Sequence, residues 1–154
     1  MAISWDNYFM GVAILSGLRS KDPNTKVGAC IVNDKKRIVG IGYNGFPRGC
    51  EDDQFPWEPS DNYSESKYAY VVHAELNAIL NSSQKLDGCT IYVSHFPCNE
   101  CAKAIIQSGI TEVVYEFDKH EKLESTIASK KMFIASGIRL RVFNFTEISL
   151  KSNI

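Results

Sequence analysis

Residues 73–117 read HAELNAILNSSQKLDGCTIYVSHFPCNECAKAIIQSGITEVVYEF, and helical and strand patterns alternate along them. The patterns predict a helix over 73–83, a strand over 89–94, a helix over 98–108 and a strand over 112–117. Glycines between these segments stand where helix C-caps or turns are expected. Strands that alternate with helices pair in parallel and are covered by those helices, so this run predicts an α/β fold.

The regions on either side extend the alternation. They contain an amphipathic helix pattern over 5–19, β-rich runs over 27–32 and 37–43, a helix pattern over 121–136 and a strand pattern over 138–143. The two early β-rich runs flank a short polar turn and predict an antiparallel hairpin. We therefore expect a three-layer α/β/α domain over residues 1–154, with a five-stranded mixed sheet that is antiparallel only at this hairpin. Residues 44–70 are rich in Gly, Pro, Asp, Ser and aromatics, which predicts a long irregular connection of the kind that often carries function.

Composition narrows the class of protein. The chain has 154 residues, 44% of them hydrophobic, which is enough for one domain with its own core. It shows no signal peptide and no apolar run long enough for a membrane span, so we expect a cytoplasmic protein without a membrane partner. Seventeen Lys and Arg against 18 Asp and Glu leave a formal charge of −1, which argues against a polymeric nucleic acid partner. The five cysteines are expected to be metal ligands and buried thiols rather than disulfides.

Two short motifs carry the predicted chemistry. They are His73-Ala-Glu75 and Pro97-Cys98-Asn-Glu-Cys101. Cysteines three residues apart share a helical face, and the start of a helix favours their thiolate form. One nitrogen and two sulfur ligands leave the fourth position of a tetrahedral zinc ion open, as in catalytic sites. The motifs therefore predict one catalytic Zn²⁺ per chain, held by His73, Cys98 and Cys101.

Glu75 is predicted to be the catalytic residue rather than a ligand. On a regular helix it would point about 200° away from His73, so it is poorly placed to share the ion. A carboxylate near a metal-activated water can instead take its proton and then donate it, serving as base and acid in turn. The combined pattern of His-x-Glu followed by Pro-Cys-x-x-Cys is the signature of zinc nucleobase deaminases.

Two other interpretations of the cysteine motif remain open. Cys-x-x-Cys in a cytosolic α/β protein can be a redox pair. A structural zinc site would need a fourth protein ligand, for which His95 is the candidate, although a histidine just past a strand end more often lines a pocket.

Beyond these motifs, the chain resembles the deoxycytidylate (dCMP) deaminases of the zinc cytidine-deaminase-like superfamily. The similarity runs through Arg19–Asn24, Gly40–Gly45, His73–Ile79 and Pro97–Lys103. The zinc motifs identify only the superfamily. The Gly-Tyr-Asn-Gly-x-Pro loop at 42–47, together with the segment around His73–Ile79, is what resembles the dCMP branch.

The resemblance implies hydrolytic deamination of dCMP to dUMP and ammonia, which supplies the precursor of thymidylate. Activated water would attack C4 of cytosine while Glu75 transfers the protons. The substrate contacts it suggests are Asn44, toward the sugar or phosphate, and the Pro97-Cys98 backbone, as acceptor for the exocyclic amine. His120 follows the next strand at the same sheet edge and is a third candidate contact, where many relatives carry an aromatic residue. No Walker sequence is present, and Arg48, Lys67 and Lys119 are the basic candidates near the phosphate.

The resemblance also implies assembly and regulation. Members of this family are often homohexamers, activated by dCTP and inhibited by dTTP with Mg²⁺, through the Gly42–Gly45 loop region. Some carry a second, structural zinc; Cys30 and Cys50 are available here but are expected to be buried thiols.

Rival functions stay open at this point. Another zinc deaminase would act on dCTP, free cytidine, guanine or tRNA adenosine, and a zinc-binding regulator would have no activity at all. Aromatic residues over 46–70 are interleaved with acidic ones, which is more typical of a packed loop or a subunit contact than of a polynucleotide track.

Overall fold

Nine main elements make up the fold in the computed structural model, which describes residues 2–150. The helices are α1 (Trp5–Gly17), α2 (Ala74–Asn81), α3 (Asn99–Gln107) and α4 (Glu124–Ser136). The strands are β1 (Gly28–Val32), β2 (Ile38–Tyr43), β3 (Thr90–His95), β4 (Glu112–Phe117) and β5 (Arg139–Val142). The predicted α/β fold with its five-stranded mixed sheet is confirmed, with element ends shifted by a few residues. The single domain over 1–154 stays a prediction, since residues 1 and 151–154 lie outside the described residues.

The strand order is β2-β1-β3-β4-β5. As predicted, β1 and β2 form an antiparallel hairpin, and β3, β4 and β5 are parallel. The prediction that only the hairpin is antiparallel is wrong, because β1 also pairs antiparallel with β3. The hairpin joins the sheet through its first strand, which leaves β2 at the edge and makes the β2-α2-β3 connection cross over β1.

Two apolar layers cover the sheet. Alternate residues of β1 face opposite sides, since Ala29 and Ile31 pack toward α2, α3 and α4 while Cys30 and Val32 pack toward α1. All five residues of β1 are therefore buried. This is the three-layer arrangement expected from the sequence, with α1 on one face and the other helices on the opposite face.

Helix α2 lies directly on the backbone of β2. A Cβ atom at Gly42 would stand 2.4 Å from both Ala74 O and Ala78 N, a separation that real Cβ atoms do not adopt. Only glycine permits this approach, so Gly42 sets the position of the helix that begins just after His73.

The long connection predicted over 44–70 is present, with two single-turn 3₁₀ helices at Tyr63–Glu65 and Lys67–Ala69. Its aromatic residues pack on one another: the ring centroids of Phe46 and Trp57 are 4.1 Å apart, and those of Phe55 and Tyr70 are 5.0 Å apart. Among residues 2–150, none of the helices has the length and apolar character that crossing a bilayer requires.

Candidate active site

The two predicted motifs meet at one edge of the sheet. Strands β2 and β3 point the same way, so α2 and α3 both begin at the edge where β3 ends. His73 immediately precedes α2, Cys98 immediately precedes α3, and Cys101 lies in the first turn of α3. His73 Nδ1 is 3.4 Å from Cys98 Sγ and 3.5 Å from Cys101 Sγ. Residues 25 positions apart in the chain are thereby brought within reach of one ion.

The geometry of these donors fits zinc. Usual zinc–sulfur and zinc–nitrogen bond lengths at a tetrahedral angle separate a sulfur from a nitrogen ligand by about 3.6 Å. The two observed nitrogen–sulfur distances are close to that value, and all three donor atoms lie within 4.8 Å of one another. Within residues 2–150 this is the one cluster of three or more such side chains, and His95 lies outside it. The structure thus offers three ligands without the fourth that a structural zinc site requires.

Protons and metal compete for these side chains. The Cys101 and His73 side chains hydrogen-bond to the Cys98 sulfur and hold its pKa well below the ordinary value. The same hydrogen bond to Cys98 raises the pKa of His73 to about 9. A divalent cation that binds here therefore competes with the protons of these side chains.

Glu75 lies next to this cluster and is almost fully buried, with 4% of its surface exposed. Burial raises the pKa of its carboxyl, and the nearby His73 partly offsets that rise. The estimate of about 200° between Glu75 and His73 does not apply, because it assumed that both residues lie on one regular helix. His73 is the N-cap, with an extended backbone (φ −71°, ψ 157°), and stands before the helix rather than in its first turn. Both side chains consequently line the same cavity.

That cavity has a volume of about 340 Å³ and opens at the edge where β3 and β4 end. The volume falls in the range of small-molecule sites. Five of the seven predicted site residues line it: Asn44, His73, Glu75, Cys98 and His120. The remaining two, Pro97 and Cys101, are buried and are not part of the lining.

Asn44 has a structural task as well as a place in the cavity wall. Its Oδ1 accepts a hydrogen bond from the Val27 backbone N–H at 2.9 Å, and its Nδ2 donates to the Thr25 carbonyl at 3.0 Å. The side chain thereby joins the end of β2 to the start of β1. One Nδ2 hydrogen remains for a ligand.

A buried ion pair in the cavity wall was not predicted. Lys67, 8% exposed, donates hydrogen bonds to both carboxylate oxygens of Asp22, at 3.0 and 3.3 Å. The sequence predicted Lys67 only as a basic residue near the phosphate and gave Asp22 no role of its own. The pairing joins segments 45 residues apart, which no local pattern indicates. Of the other basic candidates, Lys119 lines the cavity and Arg48 does not.

Comparison with known proteins agrees with this site. Residues 3–117 match the family described as cytidine and deoxycytidylate deaminase zinc-binding region. That match covers most of the chain, and the chain therefore belongs to this family of zinc-binding deaminases.

Several similar proteins are named as deoxycytidylate deaminases. Deoxycytidylate deaminase of Homo sapiens is 53% identical over 143 residues, which cover 92% of this chain and 80% of that protein. The dCMP deaminase from the cyanophage S-TIM5 in apo form has a TM-score of 0.72 at 25% identity, covering 93% of this chain and 100% of that chain. The same phage protein in complex with dCMP and dUMP has a TM-score of 0.70 at 26% identity, covering 93% and 99%. The chain is a member of the deoxycytidylate deaminase branch.

Proposed function

We propose that this protein deaminates dCMP hydrolytically to dUMP and ammonia, using one zinc ion held by His73, Cys98 and Cys101. The observation that carries the proposal is the His-Cys-Cys cluster beside buried Glu75 in a single cavity. The 53% identity to human deoxycytidylate deaminase and the phage protein's complex with dCMP and dUMP support the choice of substrate.

The proposed chemistry assigns both proton transfers to Glu75. A zinc ion at this site lowers the pKa of water and so supplies a nucleophile at neutral pH. Glu75 takes one proton from the water that adds to C4 of cytosine and delivers it to N3. It then passes the second proton to the exocyclic amine, the C4–N bond breaks and ammonia leaves. Burial raises the pKa of the Glu75 carboxyl above its ordinary value, which favours the protonated form that the donating step needs.

The remaining predicted contacts are proposed as substrate-positioning groups. Asn44 offers its free Nδ2 hydrogen to the nucleotide, and His120 offers an exposed imidazole at the cavity mouth. The Pro97 carbonyl is proposed as acceptor for the exocyclic amine, because it directly precedes the ligand Cys98.

Ammonia release tests the substrate. Purified zinc-loaded protein is offered dCMP, dCTP, CMP, deoxycytidine and guanine in parallel. We expect release from dCMP at a kcat/KM far above that of the other four. Release confined to another compound would assign the protein to a rival deaminase, and no release from any would indicate a zinc-binding regulator.

We further propose assembly as a homo-oligomer, a hexamer by family resemblance, with regulation by dCTP and dTTP accompanied by Mg²⁺. The Gly42–Gly45 loop supports a link between effector and site, since Gly42 packs against the backbone of the helix that follows His73. Tyr43 in this loop is exposed, and the Arg19 guanidinium lies 5.9 Å from its ring centroid. dCMP saturation curves that are unchanged by dCTP and magnesium would refute the regulation. The cytoplasmic location stays a prediction.

A further inference from the structure

The ends of β3 and β4 place two aromatic rings side by side in the cavity wall. His95 is the last residue of β3 and pairs in register with Phe117, the last residue of β4. Their ring centroids are 5.4 Å apart, and both residues line the cavity that contains Glu75. His95 lies outside the cluster of candidate zinc donors. We call His95 and Phe117 the ring pair.

The ring pair faces one edge of a bound pyrimidine. In the proposed chemistry Glu75 delivers a proton to N3, and C4 is bonded to N3 on one side and to C5 on the other. The C5 edge therefore points away from Glu75. Glu75 belongs to α2, which packs on β2 and β1, whereas β3 and β4 come next in the order β2-β1-β3-β4-β5. The direction away from Glu75 thus leads to the ring pair.

A hydrogen bond fixes which nitrogen of His95 carries the proton. The Ser94 hydroxyl oxygen accepts a hydrogen bond from the Gly28 backbone N–H at 3.2 Å, so its own hydrogen is left to donate. The His95 Nδ1 lies 3.0 Å from that oxygen. Burial, with Lys119 and His120 nearby, lowers the pKa of His95 and favours the neutral ring. A neutral imidazole that accepts at Nδ1 carries its proton at Nε2, which is therefore a donor.

This Nε2 donor is available to a ligand. Within residues 2–150, the His95 ring forms its one hydrogen bond with Ser94, through Nδ1. The C5 atom of cytosine carries only a hydrogen and offers no acceptor, and neither does an apolar substituent there. A hydroxyl on the C5 substituent does offer an acceptor. An apolar group of the same size would displace water from Nε2 and leave the donor unpaired, which costs free energy.

We infer that His95 is a specificity-determining residue, whose Nε2–H favours cytosine nucleotides with a hydroxyl on the C5 substituent over those with an apolar substituent of the same size. The inference rests on the proposed function, since it takes the orientation of the base from the proton transfer by Glu75. Phe117 forms the apolar part of the same wall and limits the space beside C5.

Rates on two matched substrates test this role. 5-Hydroxymethyl-dCMP and 5-ethyl-dCMP have C5 groups with the same number of heavy atoms, and one ends in a hydroxyl where the other ends in a methyl. Ammonia release gives kcat/KM for each, and the ratio of the two values is compared between proteins. His95→Phe keeps a ring and removes the donor, so it should lower this ratio about fivefold, the effect of one neutral hydrogen bond. Ser94→Ala frees Nδ1 and should lower the ratio by a smaller factor.

A second histidine of the cavity serves as the control. His120 lines the same cavity beyond the end of β4, so His120→Phe makes the same replacement outside the ring pair. Its ratio should match that of the wild type, whatever its overall rate. An equal loss in this variant would assign the preference to the general polarity of the cavity and overturn the role of His95.

The other outcomes are equally defined. An unchanged ratio in His95→Phe would overturn the inference, as would a wild-type ratio no greater than one or release from dCMP but from neither analogue. Because Ser94→Ala leaves His95 in place, it decides the matter if His95→Phe loses zinc or fails to fold. Ammonia release from dCMP by the wild type reports on the proposed function. Its absence would overturn both proposals, whereas release from dCMP with unchanged ratios in the variants would overturn only the role of His95.

Discussion

Replacing Glu75 by glutamine keeps the size of the side chain and removes its ability to carry a proton between water and the substrate. General acid–base catalysis contributes about 10²–10⁴ in rate, which corresponds to about 3–5 kcal/mol of activation free energy. Glu75 is almost fully buried beside the candidate ligands, so a carboxylate ion from the buffer cannot take over its proton transfers in the variant. We therefore expect kcat to fall by at least about 100-fold, while zinc stays bound at one ion per chain.

The same substitution should not destabilise the metal-free protein. Burial raises the pKa of Glu75 from the ordinary value of 4.5, so the unfolded carboxyl loses its proton at a lower pH than the folded one. Between these two pKa values the stability of the wild type falls as pH rises. A glutamine at this position has no such titration. The metal-free variant should therefore be at least as stable as the wild type at pH 7, and this advantage should vanish below about pH 4.

Three measurements test these expectations. Ammonia release measures turnover, and atomic emission measures the zinc content. Urea unfolding of chelator-treated protein measures stability at two pH values, one near the ordinary pKa of a glutamate and one at neutral pH. Turnover close to that of the wild type would remove Glu75 from the proton transfers. Loss of zinc would make Glu75 a ligand. A variant that is much less stable at neutral pH would contradict the electrostatic account of its burial.

Further substitutions address the fold and the metal site. Gly42→Ala places a Cβ 2.4 Å from two backbone atoms of α2 and should cost about 1–3 kcal/mol of unfolding free energy, whereas Gly45→Ala, with nothing within 4 Å, should leave the melting temperature nearly unchanged. Equal melting temperatures would contradict the close approach. Lys67→Met leaves the Asp22 carboxylate buried without its cation and should cost about 3–5 kcal/mol in urea titration, part of which Asp22→Asn restores in the double variant. Additive losses would argue against a coupled pair. Cys98→Ala should lose both zinc and ammonia release, and a variant that retains a full complement of zinc would exclude Cys98 as a ligand.

Most of the fold could be predicted because its patterns are local. Alternating helix and strand periodicity over 73–143 reflects which side chains face the core, and the observed elements follow it within a few residues. The pairing of β1 with β3 could not be predicted. Either strand of a hairpin can join a sheet, and packing against distant helices decides between them.

The sequence by itself determined the donor types and the acid–base group, since a histidine, two cysteines three residues apart and a glutamate are recognisable within short motifs. It wrongly placed His73 inside the helix, and the direction of Glu75 relative to His73 depends on whether His73 lies inside the helix or caps it. Tertiary structure alone decided which polar groups share the cavity. Asp22 neutralises Lys67 across 45 residues, and Lys119 is left without an ion-pair partner in the described chain. Local periodicity specifies backbone conformation and the inward face of each element, whereas the net charge of a cavity wall depends on which loops the folded sheet edge brings together.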